Sequence, residues 1–425
     1  MKTKENKLLI ERPFKLMLEL SIPAILGMVV IGLYPLMDGI FAGQILGQQA
    51  MTAVGIATPL TYINSGISTL IGVGSASILS RAMGRKDQET MDKIMGNLLF
   101  WIILFSAIVT VLGLSFTDQI LSIMGATADI QALAVRYMKV IFIGSFFVNF
   151  TQAANMVIRG EGLMKNAMII MGTGALINIV LDPILMIAMG DKGIEGAAIA
   201  TVLAQIIQAI MTVYYFRRKS KIVKIKGVKV DSIIAKEMFG VGISAMLMQV
   251  LSILQQTLLY NSAFSHGGES AGSIMAAALR VFSFSFIPLW GMSQGLQPAI
   301  GANFGAKDYE RVKEIFKVFS LSSIVLAGLF WIPSMVFTEK LLSLFGLLGQ
   351  TLTQGVPSFR IFYSVFITYG VMIMSLTFFQ AIGDGKSAGL LVMFRQVILF
   401  VPAVIILPKV FGLFGVWLAE PLVDF

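Results

Sequence analysis

Long apolar runs separated by short polar connections dominate this chain, and this pattern restricts it to a membrane-embedded fold. The runs approach the roughly 20 residues that a helix needs to cross a bilayer, and they lack the alternation of a barrel strand. With 56% hydrophobic and 13% charged residues, the chain has too few polar side chains to cover a soluble protein of 425 residues. The sequence therefore predicts an all-α polytopic membrane protein.

The apolar runs predict twelve transmembrane helices. We place them at residues 16–42, 55–79, 94–115, 134–158, 166–189, 196–216, 238–263, 274–300, 316–337, 358–382, 387–408 and from about 414. Every second connection is rich in Lys and Arg, whereas those between them, such as "GQILGQQA" and "SHGGES", are not. Because basic loops remain on the cytoplasmic side, we expect a cytoplasmic N-terminus.

The chain also contains an internal repeat. "SRAMGRKDQETMDKI" at 80–94 matches "GANFGAKDYERVKEI" at 301–315, and "TDQILSIMG" at 117–125 matches "TEKLLSLFG" at 338–346; the start positions give an offset of 221 both times. "GEG" at 160 matches "GDG" at 383. A repeat of this length predicts two homologous six-helix lobes.

The repeat sets the expected domain organisation. We expect an N-lobe at residues 1–216 (helices one to six), a basic cytoplasmic interlobe linker at 217–237, and a C-lobe at 238–425 (helices seven to twelve). An even number of spans starts both lobes on the same side, so their symmetry axis should follow the membrane normal. The repeat extends past the last residue, so we expect the twelfth helix to be incomplete here.

Two carboxylates interrupt the apolar spans of the N-lobe. At 1.5 Å per residue, Asp38 lies about 34 Å beyond Lys15 on the first helix, and Asp182 lies about 24 Å along the fifth. Both counts reach the outer half of the bilayer, where charges are costly and usually functional. Asn178 precedes Asp182 by one turn, and Thr201 on the sixth helix falls at similar depth.

These four residues form the candidate cation-coupling site. Paired carboxylates can share a proton, and carboxylate, amide and hydroxyl oxygens can together hold Na⁺, in which case Asp38, Asn178, Asp182 and Thr201 would be its ligands. The simpler alternative is that each Asp caps or pins a helix, next to the break that Pro183 introduces. Pro23 in the first helix is a candidate conformational hinge.

The remaining polar and aromatic residues of the spans give weaker candidates for a substrate cleft. Helices seven and ten carry no acid, whereas Arg280 and Arg395 lie within spans, and Arg280 could pair with Glu420. The cleft candidates are Asn64, Gln255, Gln256, Tyr260, Phe286, Trp290 and Arg280.

The composition also argues against metal-dependent enzymes and nucleic-acid-binding proteins. The chain has no Cys and one His, so thiolate metal sites are excluded and we expect neither an enzyme nor a bound cofactor other than H⁺ or Na⁺ as coupling ion. The net charge of +9 resides mainly in loops, so topology explains it better than nucleic-acid binding. The composition gives membrane lipid as the expected partner.

The sequence resembles the multidrug and toxin extrusion (MATE) family over its whole length. The resemblance lies in "YPLMDGIFAG", "GVGSASILSRAMGRKD", "INIVLDPILM", "GAAIATVLAQ", "QPAIGANFGAKD" and "FGVWLAEP". It implies twelve helices in two lobes around a V-shaped cleft, and a location in a bacterial or archaeal plasma membrane. It also implies a monomer that exports small organic compounds, cationic or amphipathic, in exchange for H⁺ or Na⁺. In branches with an N-lobe cation site, the family's residues match Asp38, Asn178, Asp182 and Thr201, and its bending proline matches Pro23.

Two alternatives remain open. A lipid-linked oligosaccharide flippase of the same superfamily would share the lobed architecture, but it should line its cleft with several basic residues, and only Arg280 and Arg395 are available. An intramembrane enzyme would need a nucleophile with a base or a metal cluster within the spans. We therefore expect a cation-coupled antiporter that works by alternating access.

Overall fold

The computed structural model describes residues 7–124 and 126–424, apart from the side chains of residues 34–36. The described residues are almost entirely helical. Lys2 and Lys4, which contribute to the basic N-terminus, lie outside this range.

The first half of the chain forms eight α-helices. They are α1 (Lys7–Ile10), α2 (Pro13–Phe41), α3 (Gln48–Arg85), α4 (Gln88–Ile123), α5 (Ala128–Ile143), α6 (Ser145–Gly160), α7 (Met164–Ala188) and α8 (Gly193–Tyr214). A π-helical turn, Ala42–Leu46, extends α2, and another, Tyr215–Lys219, extends α8.

The second half repeats this arrangement with more interruptions. Its helices are α9 (Ser232–Gly305), α10 (Tyr309–Val336), α11 (Thr338–Leu344), α12 (Gly349–Tyr363), α13 (Tyr369–Ile382), α14 (Gly385–Met393), α15 (Phe400–Phe411) and α16 (Leu413–Asp424). A π-helical turn, Phe394–Leu399, joins α14 to α15.

The helices account for the predicted number of spans. Nine helical segments of the described chain are long and apolar enough to cross a membrane, and α5 with α6, bent by 56°, makes a tenth. The 74 residues of α9 form two spans, because Gly268 adopts φ 65° and ψ −159° and breaks the helix. With α16 as the last, the prediction of twelve transmembrane helices is confirmed.

Helix α3 of the first lobe packs closely against α9 of the second. At Gly242 a β-carbon would lie 1.7 Å from the Leu70 carbonyl oxygen, so only glycine permits this approach. Small residues allow helix backbones to come close inside a membrane, where dispersion and hydrogen bonding replace the hydrophobic effect. The two lobes therefore share a closely packed interface along part of their length.

The basic connections gather at one end of the bundle. Asn303 donates a hydrogen bond to the Leu8 carbonyl at 2.8 Å, Lys226 pairs with Asp92 at 2.5 Å, and Arg311 donates to a backbone carbonyl of the N-terminal segment. We call this the basic end of the bundle. The other end is called the opposite end.

A cleft of about 370 Å³ lies between the lobes. Its walls come from α2, α3, α6 and α7 on one side and from both segments of α9 on the other. We call it the central cleft.

Candidate cation site and central cleft

Asp38 on α2 and Asp182 on α7 meet inside the N-lobe. Both side chains are buried, Asp38 with 6% and Asp182 with 0% of its surface exposed, and their carboxyl groups lie close enough to interact directly. Two carboxylates this close repel each other unless a proton or a cation neutralises one of them. The arrangement can therefore hold a proton between two helices.

Asn178 and Thr201 complete this group. The Asn178 Nδ2 atom donates to Asp182 Oδ1 at 2.9 Å and lies 3.5 Å from Thr201 Oγ1, and Thr201 donates to the Ala197 carbonyl at 3.2 Å. The four side chains predicted from the sequence thus lie together. We call them the N-lobe site.

Three buried oxygens of the N-lobe site have no hydrogen-bond partner among the described residues. They are Asp38 Oδ1, Asn178 Oδ1 and Asp182 Oδ2. A buried oxygen without a donor is costly unless a proton or a cation satisfies it. Hard oxygen ligands of this kind suit H⁺ as a bound proton and also Na⁺, so the donor set fits either coupling ion.

Local backbone features place the carboxyl groups. One turn after Asp38, at Ala42, α2 changes to a π-helical turn, and the Ala42 amide donates to the Asp38 and Gly39 carbonyls. Pro183 cannot donate to the Ile179 carbonyl, so α7 is weakened next to Asp182. Irregular helical turns of this kind are frequent at functional sites.

Close packing of α7 on α8 brings Thr201 to the site. A β-carbon at Gly196 would lie 2.6 Å from the Leu185 carbonyl oxygen, so the two backbones touch here. The surrounding residues are apolar and buried, among them Ala42, Met186 and Ala197. The polar atoms are therefore held in a medium that strengthens their mutual interactions.

The sequence analysis missed Tyr137 on α5. Its side chain is 4% exposed and lies near enough to both Asp38 and Asp182 to interact with their charges. Its signal in the sequence is a lone tyrosine within the fourth predicted span. Nothing in the spacing shows that this face of the helix turns toward the acids.

Some of the predicted cleft residues do line the central cleft. Gln256, Phe286 and Trp290 belong to its wall, and Phe286 and Trp290 lie 6.0 Å apart between ring centroids. The lining also includes several methionines that the sequence did not single out: Met28, Met156, Met171 and Met248. Flexible thioethers and aromatic rings can adapt to differently shaped ligands.

Other predicted cleft residues lie elsewhere. Asn64 is 1% exposed and accepts a hydrogen bond from Asn149 at 3.2 Å, inside the N-lobe. Tyr260 is 41% exposed and stacks on Phe264 away from the cleft lining. Arg280 is exposed on the outside of α9.

The predicted pairing of Arg280 with Glu420 is wrong. Arg395 makes this ion pair, at 3.0 Å, and also binds Asp424 at 2.6 Å. The reason is helix rotation: Arg395 faces the interior of the C-lobe, whereas Arg280 faces outward.

Gln255 belongs to this second polar group. It donates to Glu420, and Tyr369 contacts both Glu420 and Arg395. These side chains line a cavity of about 140 Å³ within the C-lobe. The C-lobe thus does contain buried carboxylates, on its last helix rather than on the seventh or tenth.

Direct contacts between the lobes close the central cleft toward the basic end. Arg81 pairs with Glu237 at 2.5 Å, Ser77 donates to the Gln380 carbonyl at 2.5 Å, and Gln297 donates to the Val73 carbonyl at 3.2 Å. The Arg81 side chain is almost fully buried. We call these contacts the interlobe seal.

The fold matches known transporter structures. An outward-facing multidrug resistance MATE transporter aligns with a TM-score of 0.91 at 26% identity, covering 100% of this chain and 95% of that one. A MATE structure in a bent conformation aligns with a TM-score of 0.92 at 27% identity and the same coverage.

Sequence comparison gives relatives with a named activity. Multidrug export protein MepA of Staphylococcus aureus strain MRSA252 is 27% identical over 405 residues, which cover 95% of this chain and 89% of MepA. MepA of Staphylococcus haemolyticus is 26% identical with the same coverage.

The MatE family matches this chain twice, at residues 23–184 and 244–405. The matches start at 23 and 244, so they are separated by 221 residues, the offset of the repeated motifs. Together the two matches cover most of the chain. The chain is therefore a member of the MatE family: it is a multi-pass membrane protein with twelve helices in two lobes, and it is a multidrug efflux transporter.

Proposed function

We propose that this protein is a cation-coupled antiporter that exports amphipathic and cationic organic compounds. The coupling ion binds at Asp38 and Asp182. The observation that supports this proposal most directly is the close approach of these two buried carboxyl groups, which belong to different helices. A proton or Na⁺ that enters the N-lobe site stabilises the contact between α2 and α7. Loss of the ion leaves two like charges in contact and separates them.

Helix α2 connects the N-lobe site to the cargo. Asp38 lies near one end of α2, whereas Met28 and Ile31 on the same helix line the central cleft. Pro23 lies further along, beside a small cavity, and its missing amide frees the Glu19 carbonyl and makes the helix easier to bend. Neutralisation of Asp38 thereby changes the shape of the wall that holds the drug.

The sidedness follows from charge. The basic end carries the loops that the positive-inside rule places in the cytoplasm, so the interlobe seal is cytoplasmic and the central cleft faces outward. In this state the transporter releases its drug and takes up the coupling ion. Each ion that enters contributes about 2.3 kcal/mol per 100 mV of membrane potential, and each pH unit adds about 1.4 kcal/mol.

The test is efflux from vesicles in which H⁺ and Na⁺ gradients are imposed separately. Wild-type protein should export ethidium with at least one of the two gradients, and Asp38→Asn and Asp182→Asn should each abolish the gradient-dependent part. Asp118→Asn removes an exposed carboxylate of the same lobe and serves as the matched control. Wild-type efflux from both site variants would refute coupling through the N-lobe site.

A further inference from the structure

Arg159 on α6 is a charged residue in the wall of the central cleft. Its Nε atom donates to Asn155 Oδ1 at 2.9 Å, and Nη1 lies 3.4 Å from Gln294 Oε1 and 3.8 Å from Met28 Sδ. These partners are all neutral. They hold the guanidinium in place without cancelling its charge.

No carboxylate of the described residues lies within 4.0 Å of this guanidinium, and the described lining of the cleft contains no acid. Most of the other partly buried arginines differ, since Arg81, Arg136 and Arg395 each pair with a carboxylate. Arg311, at the basic end, donates to a backbone carbonyl instead. A charge in a low-dielectric wall needs a counterion. At Arg159 that counterion has to come from the contents of the cleft.

The internal repeat shows that this charge is specific to one lobe. Gly160 matches Gly383, so the C-lobe residue that corresponds to Arg159 is Ile382. Ile382 packs against the hydrophobic core. An arginine is thus not required to end the helix at this position of the fold, and its presence in the N-lobe calls for a separate explanation.

We propose that the central cleft recognises organic compounds that carry a carboxylate or another compact anionic group, with Arg159 as the counterion. The planar guanidinium can bind a carboxylate through two hydrogen bonds, and Nη2 has no hydrogen bond to a described residue and is free to do so. The methionine and aromatic wall, which includes Met156 and Trp290, binds the apolar part of the same molecule. Among the amphipathic compounds of the proposed function, the preferred cargo is therefore one that carries an anionic group beside its cationic or apolar part, such as a zwitterion.

This inference rests on the proposed export function but is tested by binding alone. Tetramethylrhodamine has a free carboxylate, and its methyl ester lacks that charge while the rest of the fluorophore is unchanged. Fluorescence anisotropy with purified protein gives the dissociation constant of each dye. We expect wild-type protein to bind the acid more tightly than the ester, and Arg159→Gln to lower this selectivity by at least about tenfold, since the charge-assisted hydrogen bonds between the guanidinium and the carboxylate are lost.

Two further variants separate the charge from the fold. Arg159→Lys keeps the cation and should retain part of the selectivity, and Arg280→Gln removes an exposed arginine outside the cleft and should leave it unchanged. Equal selectivity in wild-type and Arg159→Gln protein, or a wild-type preference for the ester, would overturn the inference. Loss of coupled efflux in Asp38→Asn with the dye selectivity intact would leave it standing, so failure of the anion site and failure of the coupling site are distinguishable.

Discussion

The carboxyl groups of Asp38 and Asp182 lie close enough to interact directly although they belong to α2 and α7. In the proposed mechanism a shared proton makes them one functional unit rather than two independent acids. Residues that act as a unit give non-additive effects when they are replaced.

The first prediction is therefore that the double variant Asp38→Asn/Asp182→Asn is no worse than either single variant. Each single replacement already removes the shared proton site, so gradient-driven ethidium efflux should be lost to the same extent in all three. Efflux rates in vesicles at a fixed pH gradient measure this. Additive losses would show that the two acids act separately.

The second prediction concerns the contact between α7 and α8. Gly196→Ala would place a methyl group 2.6 Å from the Leu185 carbonyl oxygen, so the helices must separate and Thr201 must move away from Asn178. We expect a lower thermal unfolding midpoint in detergent and weakened coupling. Gly172→Ala is the control, because no atom lies within 4 Å of the added carbon and alanine favours the helix by about 1 kcal/mol. Equal midpoints for both variants would contradict the packing argument.

The sequence predicted how deep a residue lies in the membrane much better than which way its side chain points around the helix axis. The rise of 1.5 Å per residue is nearly constant, so counting residues placed Asp38 and Asp182 at a similar level, and the structure brings them together. Rotation of a helix about its axis depends on packing, which hydropathy does not encode. For this reason Arg280 was paired with Glu420 in place of Arg395, and Tyr137 was missed.

The cleft shows the same limit. Asn64 and Phe286 were both predicted to line the cleft. Asn64 lies in a buried hydrogen-bond network inside the N-lobe, whereas Phe286 lies in the cleft wall. Arg159 was assigned to the basic cytoplasmic connection after the fourth span, because it lies at the very end of α6, where a basic residue normally faces the cytoplasm. Only the packing of α6 against α9 shows that its side chain enters the cleft.

The third prediction tests the interlobe seal. Glu237→Gln leaves the buried guanidinium of Arg81 without its charged partner. Glu237 itself is 37% exposed, so we expect the free energy that favours the closed basic end over an open one to fall by about 1 kcal/mol. Because the chain has no cysteine, a single Ser75→Cys reporter, placed where Ser75 contacts Met238 across the seal, can measure opening by maleimide labelling.

Labelling of this reporter should become several times faster in the Glu237→Gln background. The control is Glu195→Gln, which removes a comparable ion pair with Arg136 inside the N-lobe. Unchanged labelling in Glu237→Gln would show that the ion pair does not hold the seal closed.

The fourth prediction concerns the buried ion pairs of the C-lobe. Arg395→Met would leave Glu420 and Asp424 buried without a counterion. Breaking a buried pair by removing one partner costs about 3–5 kcal/mol, so the thermal unfolding midpoint in detergent should fall strongly. Arg280→Met, at an exposed position, should have little effect. A wild-type midpoint for Arg395→Met would mean that the cluster contributes nothing to stability.

The fifth prediction is a pH dependence that arises outside the membrane spans. Glu161 lies in the turn between α6 and α7 and is 4% exposed, and it accepts hydrogen bonds from Tyr215 and, at 2.6 Å, from Ser220. These bonds fasten the start of the interlobe segment to the N-lobe. Burial raises the pKa of the Glu161 carboxyl from its ordinary value of 4.5 to about 7, more than the hydrogen bonds lower it.

The sign follows from proton uptake. Between pH 4.5 and about 7 the folded protein keeps a proton on Glu161 that the unfolded chain has lost, so stability falls as the pH rises through this range and is constant above it. At about 1.4 kcal/mol per pKa unit the loss is on the order of 3 kcal/mol. Glu161→Gln cannot ionise, so its unfolding midpoint should change less than that of wild type between pH 5 and pH 8. Glu89→Gln, at a highly exposed position, should keep the wild-type profile, and parallel profiles for wild type and Glu161→Gln would show that this carboxyl is not what titrates.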